Sequence, residues 1–374
     1  MKNKSILINA GMITSQPSGV GVYTLELLKE LVPYLRQEGY DFTVYCYEPA
    51  IIKKLDIPDV KKISLGYFID KVLKKKEVIH RHLWNIIALN FISQKYDILY
   101  SFTSHGTLYH RNQIITIHDV ICLSFPDSHK SQYYYFKNFL PFLIRQSKHI
   151  ITISNFSRNE IMSAYSIKKE KISVIYNGID HLEKLKWLAE DEGWLEKVTG
   201  KKRFCLCVGA SYPHKNIETL LAVCDKMKNA DVTFIIINKP NVYYDSLKKK
   251  VEDMQLKNVI FLPFVESSRL ALLYKRARLN IYVSLYEGFG FPPAEAALFG
   301  TQSILSKQPA LVEVYGEGFE YADPFDVNTI ETIATRYAFA ETKIEINSYS
   351  KLREKYNWKK AAQMTISLFK DNMN

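Results

Sequence analysis

The sequence predicts an α/β chain of two domains, each built on a parallel sheet, with a last helix that packs back on the first domain. Three observations predict it. Short apolar runs of strand type alternate with stretches of helical period along most of the chain. The pattern breaks in a charged stretch at 181–203 and then restarts. The length, 374 residues, exceeds what one hydrophobic core usually organises.

The elements follow in order. Ser5-Ile-Leu-Ile-Asn9 reads as a buried strand. A polar loop ending Ser18-Gly-Val-Gly21 leads to a helix whose apolar period begins at Leu25, Leu28, Val32 and Leu35. Residues 42–47, 97–102, 114–117 and 150–154 are strand-like, and Ser157 with Glu160 fits a capping box at the next helix start. Residues 174–178 close this half with a strand and an Asn-Gly turn. The first domain therefore spans 1–180, and 181–203 is read as a linker. The second domain, 204–350, has strands at 204–209, 232–237, 259–262 and 279–285 with helices beginning near Asn216, Tyr244 and Ser267. Trp358, Ala361, Met364, Thr365 and Leu368 mark an amphipathic helix in the closing segment, 351–374. Strands joined through helices imply right-handed crossovers, so both domains are Rossmann-like.

Composition narrows the function classes. The chain is 47% hydrophobic and 24% charged, which excludes a disordered protein. Its formal charge of +11 is concentrated in the amino half, where residues 1–180 carry 23 Lys/Arg against 15 Asp/Glu. Such a field suits an anionic membrane, a diphosphate or nucleic acid. No nucleic-acid recognition motif is present, so nucleic acid is not expected as a partner. The first ten residues lack a signal-peptide core and no apolar run is long enough to span a bilayer, which predicts a cytoplasmic location. The five cysteines are widely spread without a CxxC spacing; Cys205 and Cys207 share one face of a strand, and all five read as reduced thiols.

The segment Glu287-Gly-Phe-Gly-Phe-Pro-Pro-Ala-Glu295 carries the chemistry. It follows a strand, so it lies at the carboxyl edge of the second sheet, where open α/β folds bind ligands. Gly288 and Gly290 let the backbone come close to a ligand, and Pro292 and Pro293 suit the first turn of a helix whose start attracts phosphate. Glu287 and Glu295 are eight positions apart and can grip different parts of one ligand. A second segment, Gly209-Ala-Ser-Tyr-Pro-His-Lys-Asn216, places the Lys215 cation after the first strand of the second domain. In the first domain, Ser18-Gly19-Val-Gly21 forms a glycine pair and Thr116-Ile-His118-Asp119 ends a strand.

Glu-x7-Glu around Gly-Phe-Gly and proline resembles glycosyltransferase family 4, and further family-like stretches extend the resemblance over most of the chain. The resemblance implies the two-domain GT-B fold, with both sheets facing a cleft, and transfer of a hexose from a nucleotide-diphosphate sugar with retention of configuration. It implies that Glu287 contacts hydroxyls of the transferred sugar and Glu295 the nucleotide ribose, while amides at Phe289, Gly290 and Phe291 reach sugar and diphosphate. Lys215 is the counterpart of the lysine that neutralises the leaving diphosphate, Gly19 and Gly21 of the loop that closes over it, and His118 of the histidine beside the donor sugar. The chain departs from the family pattern at Ala210 and His214, where arginines are common; His214 is the candidate to contact phosphate in their place.

No Asp-x-Asp occurs in the sequence, so metal-independent transfer is expected, with the nucleotide sugar as co-substrate and no cofactor. The overall resemblance implies GDP-mannose as the slightly preferred donor, with UDP-hexoses next. The acceptor expected is a lipid-linked or polysaccharide glycan in surface polysaccharide assembly. The apolar positions among lysines in 68–87 and the basic amino half suggest peripheral contact with an anionic membrane at its inner face. The alternatives are a non-catalytic nucleotide-sugar-binding subunit and another nucleotide-sugar enzyme of this fold, such as an epimerase.

Overall fold

The computed structural model describes residues 4–11, 13, 19–52, 57, 59–65, 70, 71, 80, 83–183, 185–343, 346 and 348–373. The chain forms two compact units, one of residues 1–178 with 356–374 and the other of 179–355.

The first unit holds a parallel sheet of seven strands: β1 (Ser5–Asn9), β2 (Asp41–Cys46), β3 (Val60–Lys62), β4 (Ile98–Ser101), β5 (Gln113–Thr116), β6 (His149–Thr152) and β7 (Ile172–Val174), in the order β3-β2-β1-β4-β5-β6-β7. Ile6 stands opposite both Phe42 and Ile98, which fixes the register at the centre. Ile6, Leu7 and Ile8 are fully buried because helices cover both faces, which is why these strands read as unbroken apolar runs. Helix α1 spans Gly19–Gln37, so the glycine pair forms its first turn instead of a loop before it. Its buried stripe already begins at Gly21, Tyr23 and Thr24, and Leu27, Leu28, Leu31 and Leu35 continue it. The amphipathic stretch expected at 68–87 falls largely outside the described residues.

After β5 come α2 (Lys130–Asn138) and α3 (Leu140–Gln146). Tyr135, Phe136 and Phe139 pack on the core below them, whereas Tyr134 and Phe142 are exposed, so this aromatic run is mainly structural. Helix α4 (Asn155–Tyr165) starts earlier than the capping box suggested: Ser154 is the cap, its Oγ accepting from the Ser157 amide at 3.1 Å.

The second unit begins with α5 (Ala189–Thr199), inside the segment read as a linker. Trp194 and Val198 pack on the core that buries Leu195, and Asp191 pairs with Arg269 at 3.0 Å, so this stretch is part of the domain. The parallel sheet comprises β8 (Arg203–Val208), β9 (Val232–Ile237), β10 (Val259–Leu262), β11 (Leu279–Tyr282), β12 (Ser303–Ser306) and β13 (Glu320–Ala322), in the order β10-β9-β8-β11-β12-β13. The chain runs outward from β8 through β9 to β10 and then returns to place β11 on the other side of β8. The β8/β11 boundary is thus the topological switch point, where loops diverge and leave room at the carboxyl edge. The connecting helices are α6 (Ile217–Lys226), α7 (Val242–Asp253), α8 (Ser267–Arg276), α9 (Phe291–Leu298), α10 (Pro309–Tyr315), α11 (Val327–Phe339) and α12 (Tyr349–Lys355). All five cysteines are buried and unbridged.

The last helix, α13 (Trp358–Met373), belongs to the first unit and lies along α1. The Trp358 ring meets Tyr23 at 5.9 Å between centroids and Phe369 meets Tyr100 at 5.1 Å. Gly178 is required beneath it, since a Cβ there would overlap the Trp358 backbone nitrogen and ring.

Candidate functional site

The switch point of the second unit assembles most of the expected residues. Beyond β8, Gly209 (φ +86°) turns the chain into a single 3-10 turn over Pro213–Lys215. Asn216 then adopts φ +58°, tolerated by asparagine, and its Nδ2 donates to the carbonyls of Val283 at 3.1 Å and Pro324 at 2.7 Å. The Leu285 amide donates to the His214 carbonyl at 2.7 Å. These bonds stitch the loop after β8 to the loop after β11, and so bring residues 72 positions apart into contact: Lys215 Nζ donates to Glu287 Oε1 at 2.6 Å. Both side chains are largely buried, at 18% and 9% exposure. Lys215 also donates to the Tyr282 hydroxyl at 3.2 Å.

The Gly288 turn ends at Gly290, whose φ of +79° suits glycine alone. A Cβ there would lie 3.0 Å from Leu311 Cδ2 and 3.0 Å from Tyr282 Cε1. Tyr315 donates its hydroxyl to the Gly290 carbonyl, and Gln308 Nε2 donates to the Glu287 carbonyl at 3.4 Å. Helix α9 starts directly after it, with proline in its first turn and no side-chain cap, and Phe289 is buried beside Phe291. An uncapped helix start, a cation and a fixed turn form a seat for an anionic group.

Glu295 faces inward from α9. Tyr274 donates its hydroxyl to Oε2 at 2.7 Å, and His181 Nε2 lies 3.1 Å from Oε1. Burial, reinforced by the Glu295 carboxylate, raises the Tyr274 pKa well above its ordinary value, so it remains a donor. His214 is buried and stacked on Tyr212 at 5.6 Å between centroids, and its imidazole sits inside the loop that presents Lys215. At the end of β9, the Asn238 side chain is buried, and neither its Nδ2 nor its Oδ1 is hydrogen-bonded among the described residues. Tyr282, Tyr274, His181 and Asn238 escaped the sequence reading.

His118, Gly19 and Gly21 are carried by the first unit. His118 Nε2 is 3.0 Å from the Phe102 carbonyl and donates to it, which leaves Nδ1 as an acceptor. Burial pushes its pKa down to about 4, so the ring is neutral at physiological pH. The Tyr23 ring packs edge-on to it at 4.6 Å and links it to the glycine turn that opens α1.

Solved structures share this fold. Anabaena HepE, crystallised with UDP and glucose, superposes with a TM-score of 0.73 at 18% identity, covering 99% of this chain and 100% of that one. The sucrose-phosphate synthase of Thermosynechococcus elongatus also gives 0.73, at 16% identity over 99% of both. The architecture is therefore GT-B. In sequence, the family described as Glycosyltransferase Family 4 matches residues 17–182, and Glycosyl transferases group 1 matches residues 191–358. The chain belongs to glycosyltransferase family 4. It is 36% identical over 226 residues to the O-antigen chain mannosyltransferase RfbU of Salmonella typhimurium, a match over 60% of each chain. It is 26% identical over 267 residues to the O-antigen chain mannosyltransferase B of Escherichia coli, over 69% of this chain and 70% of that one.

Proposed function

We propose that this chain is a retaining, metal-independent glycosyltransferase that moves a hexose from a nucleotide-diphosphate sugar to a lipid-linked or polysaccharide acceptor in surface polysaccharide assembly. The observation that carries the reading is the Lys215–Glu287 pair, held at 2.6 Å on the switch-point loops beside the uncapped start of α9. Glycosyl transfer must stabilise positive charge developing at the anomeric carbon and negative charge on the departing diphosphate. Lys215, the Phe289, Gly290 and Phe291 amides and the α9 start answer the second need. Glu287 turns to the sugar hydroxyls, and Glu295, pre-oriented by Tyr274 and His181, takes the ribose. His118, neutral, accepts a sugar hydroxyl at Nδ1 and acts as a positioning group.

The acceptor attacks from the face the diphosphate leaves, and the leaving phosphate oxygen takes the acceptor's proton. The absence of Asp-x-Asp supports a reaction without a bridging cation. GDP-mannose is preferred because several relatives are named mannosyltransferases, with UDP-hexoses next. Peripheral membrane contact through the first unit is supported by Ile86, Ile87 and Phe91, all exposed. No helix among the described residues is long and apolar enough to cross a membrane.

The test is turnover of GDP-mannose and UDP-glucose by the purified chain with chelator present, with the anomeric configuration of the product read by NMR. Retained product without metal is expected. Binding of either donor without turnover on any acceptor would favour the binding subunit, and undiminished turnover in Lys215→Ala would overturn the site.

A further inference from the structure

Tyr282 ends β11 where the loop after β8 meets the Glu287 turn, and its side chain touches both. Its hydroxyl accepts a hydrogen bond from Lys215 Nζ at 3.2 Å. Its ring edge lies 3.0 Å from the place where a side chain at position 290 would begin, so the ring is wedged against the turn and buried. The Lys215 ammonium therefore has two oxygen partners, a carboxylate at 2.6 Å and a phenol at 3.2 Å. These differ in what a ligand does to them. On the reading proposed above, on which this inference rests, Glu287 turns to the sugar and leaves the lysine. A lysine released on its flexible four-carbon stem would lose its aim. The phenol cannot follow Glu287, because packing fixes its ring. It is also the right kind of partner: a neutral hydroxyl accepts one N–H and leaves the positive charge undiminished, whereas a second carboxylate would cancel it and repel a diphosphate. Burial and the adjacent Glu287 raise the Tyr282 pKa well above its ordinary value, which keeps the hydroxyl protonated in the neutral range.

We propose that Tyr282 is a positioning residue that keeps the Lys215 ammonium aimed at the departing diphosphate once Glu287 has engaged the sugar. Tyr282→Phe removes only the hydroxyl and retains the ring under Gly290. Steady-state kinetics on the full chain should show kcat reduced roughly tenfold to a hundredfold, the scale of a misplaced catalytic group. Donor KM should change by less than about threefold, because the loss appears as charge develops. In a Lys215→Met background, Tyr282→Phe should lose most of its effect, since the tyrosine acts on the diphosphate through the lysine, its own hydroxyl being also hydrogen-bonded to Glu287. A kcat within about twofold of the parent in Tyr282→Phe, with Lys215→Met impaired, would overturn the inference and leave the proposed function standing. A Tyr282→Phe loss that persists undiminished in the Lys215→Met background would likewise overturn it, as a structural defect. Full activity of Lys215→Met itself would overturn both.

Discussion

Gly290→Ala isolates the turn that carries the site. Two costs add. The backbone at φ +79° lies where residues with a Cβ are strained, at about 1–3 kcal/mol. The new methyl would sit 3.0 Å from both Leu311 Cδ2 and Tyr282 Cε1, tighter than normal packing, and relieving such an overlap costs about 1–3 kcal/mol. The expected local destabilisation is about 2–6 kcal/mol. Gly316→Ala separates the two components, because Gly316 also has positive φ, +55°, but nothing stands within 4 Å of its would-be Cβ. Hydrogen exchange of peptides covering 279–298 and 309–316, measured in both variants, reads the local opening free energies. Gly290→Ala should open its peptide more easily than Gly316→Ala opens its own, by about 1–3 kcal/mol. Equal effects would refute the claim that Tyr282 and Leu311 fill the space beside the turn.

His118 and His149 both have pKa values pushed down to about 4, by burial and, for His149, also by Lys171. The unfolded chain takes up these protons near pH 6.5 and the folded one only near 4, so stability is full above 6.5 and falls through that window, by at most about 3 kcal/mol per histidine; urea midpoints between pH 7 and 4 should flatten in His149→Gln. Lys215→Met and Glu287→Gln each break a buried pair; Lys215→Met, which leaves a bare carboxylate, should cost about 3–5 kcal/mol, and the double variant less than the sum of the two, as a thermodynamic cycle from chemical denaturation would show. Asn238→Ala removes a buried side-chain amide without a hydrogen-bond partner among the described residues and should hold or raise the melting temperature, in contrast to most core polar deletions. Gly178→Ala should release α13 from its seat, seen as faster exchange and proteolysis of 358–373.

What was legible in the sequence was local. The strand pattern follows from buried parallel strands being apolar throughout, and Glu287, Gly290 and Glu295 are read together because nine consecutive residues carry them. Tyr282 was invisible because its partner Lys215 is 67 positions away and a tyrosine within a strand reads as core. His181 reaches Glu295 across 114 positions, from a segment whose charge suggested a linker. That segment was misread because Trp194 and Val198 stand among glutamates and lysines, so its apolar stripe is narrow. The start of α1 was missed because glycine is a poor helix former, and only packing of Tyr23 and Thr24 shows that the helix has begun.

The excursion of the chain out of the first unit at Gly178 and back at Tyr356 has a consequence for biosynthesis. Residues 179–355 are contiguous and can collapse as soon as they leave the ribosome. The preceding unit, though made earlier, lacks the helix that lies along α1 until residues 356–374 emerge. The order of maturation is inverted relative to the order of synthesis, and the interval is the period in which a chaperone would find the nascent protein most adhesive.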